Sequence, residues 1–198
     1  MTAKGSITVN GVKYEVSGAR FEREDEAPVI LADETETETR VGMVLEVEGE
    51  LATTNDATTI RYEDIVEGQI ELPHISLGAD VKVLNILSQE VVIENGLTQF
   101  DGSLAFADIE SETGFIEVSG FRRTDGKIQA TYLEDRTVAT PAGRLEVKGS
   151  VTFVGVNTFN IGGLTIDYSG APALTVGDLV EVKGSTYSTP TLTATSVE

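Results

Sequence analysis

Three glutamates occupy the same place in three copies of one short phrase. Glu46 lies in Gly42-Met-Val-Leu-Glu-Val-Glu-Gly49, Glu117 in Gly114-Phe-Ile-Glu-Val-Ser-Gly120 and Glu181 in Gly177-Asp-Leu-Val-Glu-Val-Lys-Gly184. Equivalent carboxylates of this kind could contact a ligand three times over. Their apolar neighbours set a different expectation. Side chains alternate between faces along a strand, so each glutamate between two inward apolar residues should point outward. A second acidic group, Asp33, Glu34, Glu36 and Glu38, lies in an alternating Glu-Thr run. Calcium takes roughly six to eight oxygen ligands, and this tract could supply several. No Asp-x-Asp-x-Asp-Gly loop accompanies it, and a solvated loop or edge strand is the expected state.

The remaining reactive types are sparse. His74 is the sole histidine, so no multi-histidine metal site can form, and a loop or packing position is expected. A phosphate loop needs Gly-x-x-x-x-Gly-Lys-Ser/Thr, which is absent. A pair of carboxylates could act as acid and base on a glycoside, but 33 acidic residues always provide some pair. Such a hydrolase would need two close carboxylates in a cleft, one with its pKa raised by burial. Tyr14, Phe121 and Tyr132 could stack on a sugar or base, yet there is no tryptophan and packing is the plainer use. We therefore assign no catalytic residue, no metal ligand and no cofactor, and the ligand-binding residues stay unknown from sequence.

Charge and cysteine usage narrow the classes. Lys and Arg total 14 against 33 Asp and Glu, a formal net charge of −19. The excess is front-loaded: 6 basic and 15 acidic groups lie in residues 1–66, against 2 and 5 in residues 146–198. Nucleic-acid binding draws on lysine and arginine to displace phosphate counterions, so this chain should repel nucleic acid and anionic lipid. With no cysteine there are no disulfides and no thiolate chemistry. No run approaches the roughly 20 apolar residues of a membrane-spanning helix. Met1 to Gly5 leads straight into strand-like sequence. Either the protein is cytosolic or a targeting segment has been removed ahead of residue 1.

The elements that must position these residues are strands. Ile7 and Val9, then Val12, Tyr14 and Val16, alternate with polar residues around Asn10-Gly11, a type I′ hairpin turn. Residues 22–40 predict a long acidic loop with a short ordered piece at Val29 to Ala32. Strands are expected at Val41 to Val47, closed by Gly49, and at Ala57 to Tyr62. The second copy opens at Val66-Glu-Gly-Gln-Ile70 and continues at 81–86, 91–93, 115–118 and 128–133, with helical turns possible over Leu104 to Ile109. The third opens at Val147-Lys-Gly-Ser-Val151 and continues at 158–161, 164–166, 179–182 and 192–197. The closing strands rhyme: Ala57-Thr-Thr-Ile60, Ala130-Thr-Tyr-Leu-Glu134 and Ala194-Thr-Ser-Val-Glu198. A fixed period of this kind marks a repeated structural unit. Five short strands per copy suit a small Greek-key barrel, which removes the edges of a flat sheet. The predicted fold is all-β with little helix: three tandem OB-fold-like five-stranded barrels at 1–65, 66–145 and 146–198, packed against one another.

The three phrases and the closing Ala-Thr pattern resemble a bacterial domain-of-unknown-function family of tandem OB-like β-barrels. The fit runs over Phe115 to Phe121, Thr124 to Ile128 and Ala130 to Glu134 in the second copy, and Val176 to Gly184 in the third. In the first it covers Val41 to Gly49, where Arg61 stands in place of the closing glutamate. The resemblance implies a secreted or lipid-anchored envelope protein, periplasmic or extracellular, and transfers no catalytic residues. The expected function is a non-enzymatic binding or scaffold module of unknown ligand, whose partner is an unidentified protein or polysaccharide. The alternative is a Ca²⁺-dependent adhesion or glycan-binding protein that uses the acidic tract.

Overall fold

The computed structural model describes residues 5–23, 26–31, 38–50, 55–101, 104–109, 114–136, 144–168, 170 and 173–198. Of the acidic tract only Glu38 falls among them; Asp33, Glu34 and Glu36 lie outside the described residues. The described chain is all-β, with seventeen strands in two sheets. It divides into two compact units, Met1–Glu63 and Asp64–Glu198.

The first unit holds β1 (Ser6–Val9), β2 (Val12–Glu15), β3 (Arg20–Glu22), β4 (Val29–Ile30), β5 (Val44–Glu50) and β6 (Asp56–Glu63). Asn10 and Gly11 both take positive φ, 51° and 80°, as a type I′ turn demands. The turn sets Ile7 opposite Tyr14 and Val9 opposite Val12. The sheet runs β1-β2-β6-β3-β4, and β5 pairs with β6. Its core is Val16, Ala19, Phe21, Leu31, Ala57, Ile60 and Tyr62. β5 starts at Val44 rather than Val41, because Gly42 takes a φ of 97° and residues 41 and 42 form a turn.

The second unit holds both remaining copies. Its strands are β7 (Val66–Ser76), β8 (Val81–Ile86), β9 (Gln89–Glu94), β10 (Gln99–Phe100), β11 (Phe115–Arg122) and β12 (Ile128–Asp135), then β13 (Leu145–Val154), β14 (Thr158–Ile161), β15 (Leu164–Asp167), β16 (Leu179–Ser188) and β17 (Thr191–Val197). In the second copy the pairing path returns to its start. β7 pairs with β8, β8 with β9, β9 in parallel with β12, β12 with β11, and β11 with β7 again. The third copy repeats this path through β13, β14, β15, β17 and β16. The two paths join where β7 meets β13 in antiparallel register, Glu67 opposite Glu146 and Val66 opposite Val147. The Lys148 amide also donates to the Ile65 carbonyl at 2.9 Å.

One apolar core serves both copies, from Val66, Leu84, Ile93, Ile116 and Ile128 to Val147, Phe159, Ile166, Val182 and Leu192. Each such side chain contributes about 1.5–3 kcal/mol of transfer free energy when removed from water. The glycine closing each repeated phrase does not end its strand. Gly49, Gly120 and Gly184 sit inside β5, β11 and β16 at a register shift against the next strand. A Cβ at Gly49 would collide with the Asp56 carbonyl, and one at Gly120 with the Gln129 carbonyl. At Gly184 it would strike the Leu192 side chain. The bulge brings the partner strand too close for any side chain. Residues 104–109 make a single turn, with the Ile109 amide donating to the Ala105 carbonyl at 3.0 Å.

Candidate functional site

The three repeated glutamates do alternate away from the core, but they reach three different environments. Glu46 is exposed, and the Arg61 guanidinium of the neighbouring strand lies 3.3 Å from it and 2.6 Å from Glu48. Hydrogen bonds to Glu48 and Glu46 raise the Arg61 pKa further above its ordinary value. Glu181 is half-buried, with its carboxylate 3.5 Å from the Lys148 ammonium. Glu117 is buried and pairs with the buried Arg136 at 3.2 Å. The outward direction predicted from alternation holds; the expected solvent is missing at Glu117.

The reason is a row of acids running across the sheet. Glu134 of β12 stands opposite Glu117 of β11, Glu117 opposite Glu67 of β7, Glu67 opposite Glu146 of β13, and Glu146 opposite Lys183 of β16. Strand alternation produces the row. Val66, Val118, Val147 and Val182 are fully buried on the core side, so their immediate neighbours project from the other side. Glu67 is only 3% exposed and Glu146 only 5%. Arg136 also approaches Glu134 at 3.2 Å, and Arg144 approaches Glu67 at 3.9 Å. Lys148 lies 3.2 Å from Asp64 and 3.3 Å from Glu146.

Burial dominates the titration of two members. It pushes Glu67 up to about 7; Arg144 opposes the rise, and Glu117 and Asp64 add to it. It pushes Glu146 up to about 8; Asp64 adds to the rise and Lys148 opposes it. Desolvation disfavours the charged form, and like charges nearby act in the same direction. Glu67 Oε1 has no hydrogen-bond partner among the described residues, while Glu146 Oε1 faces the Lys148 ammonium at 3.3 Å. Two residues in opposed register whose carboxyl pKa values are raised by burial meet one condition set for a hydrolase. The other condition, a cleft, does not describe this place: both glutamates sit within laddered strands that pair on either side.

The other residues singled out in the sequence do not converge. His74 lies on β7 where the register to β8 shifts, and its ring nitrogens have no hydrogen-bond partner among the described residues. Tyr14 packs on the first core, Phe121 is exposed at the end of β11, and Tyr132 is buried in β12. No group of three or more His, Cys, Asp or Glu side chains suited to a metal occurs among the described residues, nor is any described helix long and apolar enough to cross a membrane.

Two features escaped the sequence reading. The first is a polar tie between the copies. Glu71 Oε1 accepts from the Ser88 amide at 2.7 Å and from the Tyr187 hydroxyl at 2.9 Å, and its Oε2 accepts from Thr189 at 3.1 Å. Gln89 Nε2 donates to the Ile161 carbonyl at 2.9 Å. The second is a pair of apolar projections. Leu72 and Ile75 on β7 are exposed, as are Phe153 on β13 and Val156 just beyond it, the last at 99%. The two opening strands superpose in sequence with Val66 on Val147, which places Leu72 on Phe153 and Ile75 on Val156. The same offset places Glu67 on Lys148. That charge exchange was visible in Val66-Glu-Gly and Val147-Lys-Gly, and it marks the joint.

A family model described as a domain of unknown function (DUF5666) matches residues 67–134 and again residues 148–198. No curated protein and no solved structure matches the chain.

Proposed function

The chain belongs to the DUF5666 family, matched over more than half its length, and from that premise we infer a non-enzymatic binding or scaffold module built of OB-like barrels. The circular strand paths of the second and third copies support the barrel reading, since order and direction agree with a five-stranded Greek key. The observation that carries the binding reading is the repeated apolar projection, Leu72 and Ile75 in one copy, Phe153 and Val156 in the next. Exposed apolar groups at equivalent places in successive repeats form a two-point contact surface. Aliphatic and phenyl groups suit a protein partner better than a polysaccharide, whose binding leans on tryptophan stacking and polar contacts. The acidic surface accords with work in the bacterial envelope or outside the cell.

The test is capture from solubilised envelope on immobilised protein, run beside a variant carrying L72S, I75S, F153S and V156S. Capture of one protein by the parent and its loss in the variant is the expected result. Equal capture by both, capture of polysaccharide alone, or saturable chemical turnover by the parent overturns the reading. Calcium is varied in parallel. Capture that requires it would favour the adhesion alternative.

A further inference from the structure

We propose that the joint between β7 and β13 is a proton-dependent clasp, which is tight while at least one of Glu67 and Glu146 keeps its proton and loosens when both ionise. The geometry comes first. Direct backbone pairing between β7 and β13 spans two register positions, and one of them sets Glu67 against Glu146. Like charges directly opposite on neighbouring strands destabilise a pair. A proton on either carboxyl removes that repulsion.

The surroundings decide how many protons the joint needs. Towards Glu67 and Glu146 face Asp64 ahead of β7, Glu117 of β11 and Glu134 of β12 with Arg136 beyond it. Arg144 ahead of β13, Lys148 of β13, and Glu181 and Lys183 of β16 complete the set. Arg122 of β11 is turned to the Lys148 carbonyl, which it reaches at 2.8 Å. Six carboxyl groups therefore confront four cations around the row, and Arg122 serves the backbone. Two excess negative charges in a buried site are costly unless neutralised. The two least exposed carboxyls at the joint are those whose pKa burial raises, to about 7 and about 8, so the exchange of protons falls near neutrality. The clasp is independent of the apolar projections: it concerns how the copies hold each other, whatever they bind.

The experiment uses the full chain. Carboxyl carbons of glutamate are followed by NMR from pH 5 to 9, together with amide exchange at Val66, Glu67, Glu146 and Val147, each corrected for the intrinsic pH dependence of exchange. Amides in β8 and β14 serve as internal references. Glu67 and Glu146 are expected to titrate above pH 6, and protection at the joint to fall about tenfold or more relative to the references over the same range. E67Q and E146Q keep the shape and remove the charge; the double variant should hold its joint protection constant to pH 9. Titration of both glutamates below pH 5.5 overturns the proposal, and so does wild-type joint protection that tracks the references throughout. The wild-type arms decide the matter even where a variant fails to fold.

Discussion

At the scale of single residues, equal sequence signals acquire unequal energies. Arg61 and Arg136 each meet glutamates of the repeated phrase. Arg61 does so in water, where an ion pair is screened and weak. Arg136 does so inside the protein, where losing one partner leaves an uncompensated charge. Arg136→Ala is expected to destabilise the second unit by about 3–5 kcal/mol, while Arg61→Ala leaves the first unit close to parental. Urea unfolding of both variants checks the contrast, and comparable losses would contradict it. Glycine carries the same lesson. Gly120→Ala forces a Cβ onto the Gln129 carbonyl and should cost about 1–3 kcal/mol, the usual price of overpacking. Gly96→Ala is no neutral control, because Gly96 takes a φ of 79°.

At the scale of elements, what could be read in the sequence was whatever repeats locally. Period-two alternation set out β1, β2, β8, β9 and β12, and Asn10-Gly11 fixed the first hairpin because few residues tolerate positive φ twice. Asn10→Ala should therefore weaken the first unit by about 1–2 kcal/mol and Asn10→Gly by less, read from the melting of that unit. Equal losses would mean that the turn geometry is not what holds β1 to β2. What could not be read was pairing between distant strands. Glu67 in Val66-Glu-Gly-Gln-Ile70 has the pattern of a solvent-facing acid, and only its position opposite Glu146 and Glu117 buries it. Leu87 and Ser88 show another limit. Both take positive φ without being glycine or asparagine, 49° and 55°. They are the two turn residues between β8 and β9, where Ile86 faces Gln89 and a type I′ turn demands positive φ at both; Ser88 Oγ also lies 2.8 Å from the Tyr187 hydroxyl of the third copy. A second rhyme, Lys4-Gly-Ser-Ile7 with Lys148-Gly-Ser-Val151, aligns the opening strands of the first and third copies in sequence.

At the scale of the whole molecule, two kinds of negative charge act on stability in the same direction, and salt separates them. The net charge of −19 is carried, among the described residues, mostly by exposed or half-buried carboxylates, whose mutual repulsion grows as pH rises and is screened at high ionic strength. Glu67 and Glu146 are buried, so salt reaches them poorly. Their folded-state pKa values of about 7 and about 8 lie above the ordinary value of 4.5. The unfolded chain then holds fewer protons than the folded one between pH 4.5 and 8. Stability must fall as pH rises through that window, and the contribution is complete below 4.5. This is the reverse of ordinary acid denaturation, in which paired carboxylates favour the higher pH. In about 1 M salt, where screening acts over roughly 3 Å, the surface part should vanish. The melting temperature of the second unit should still fall from pH 5 to pH 8.5, and E67Q with E146Q should flatten that slope. A profile already flat in high salt would assign the whole pH dependence to the surface. A slope unchanged in the double variant would move its origin to other buried groups.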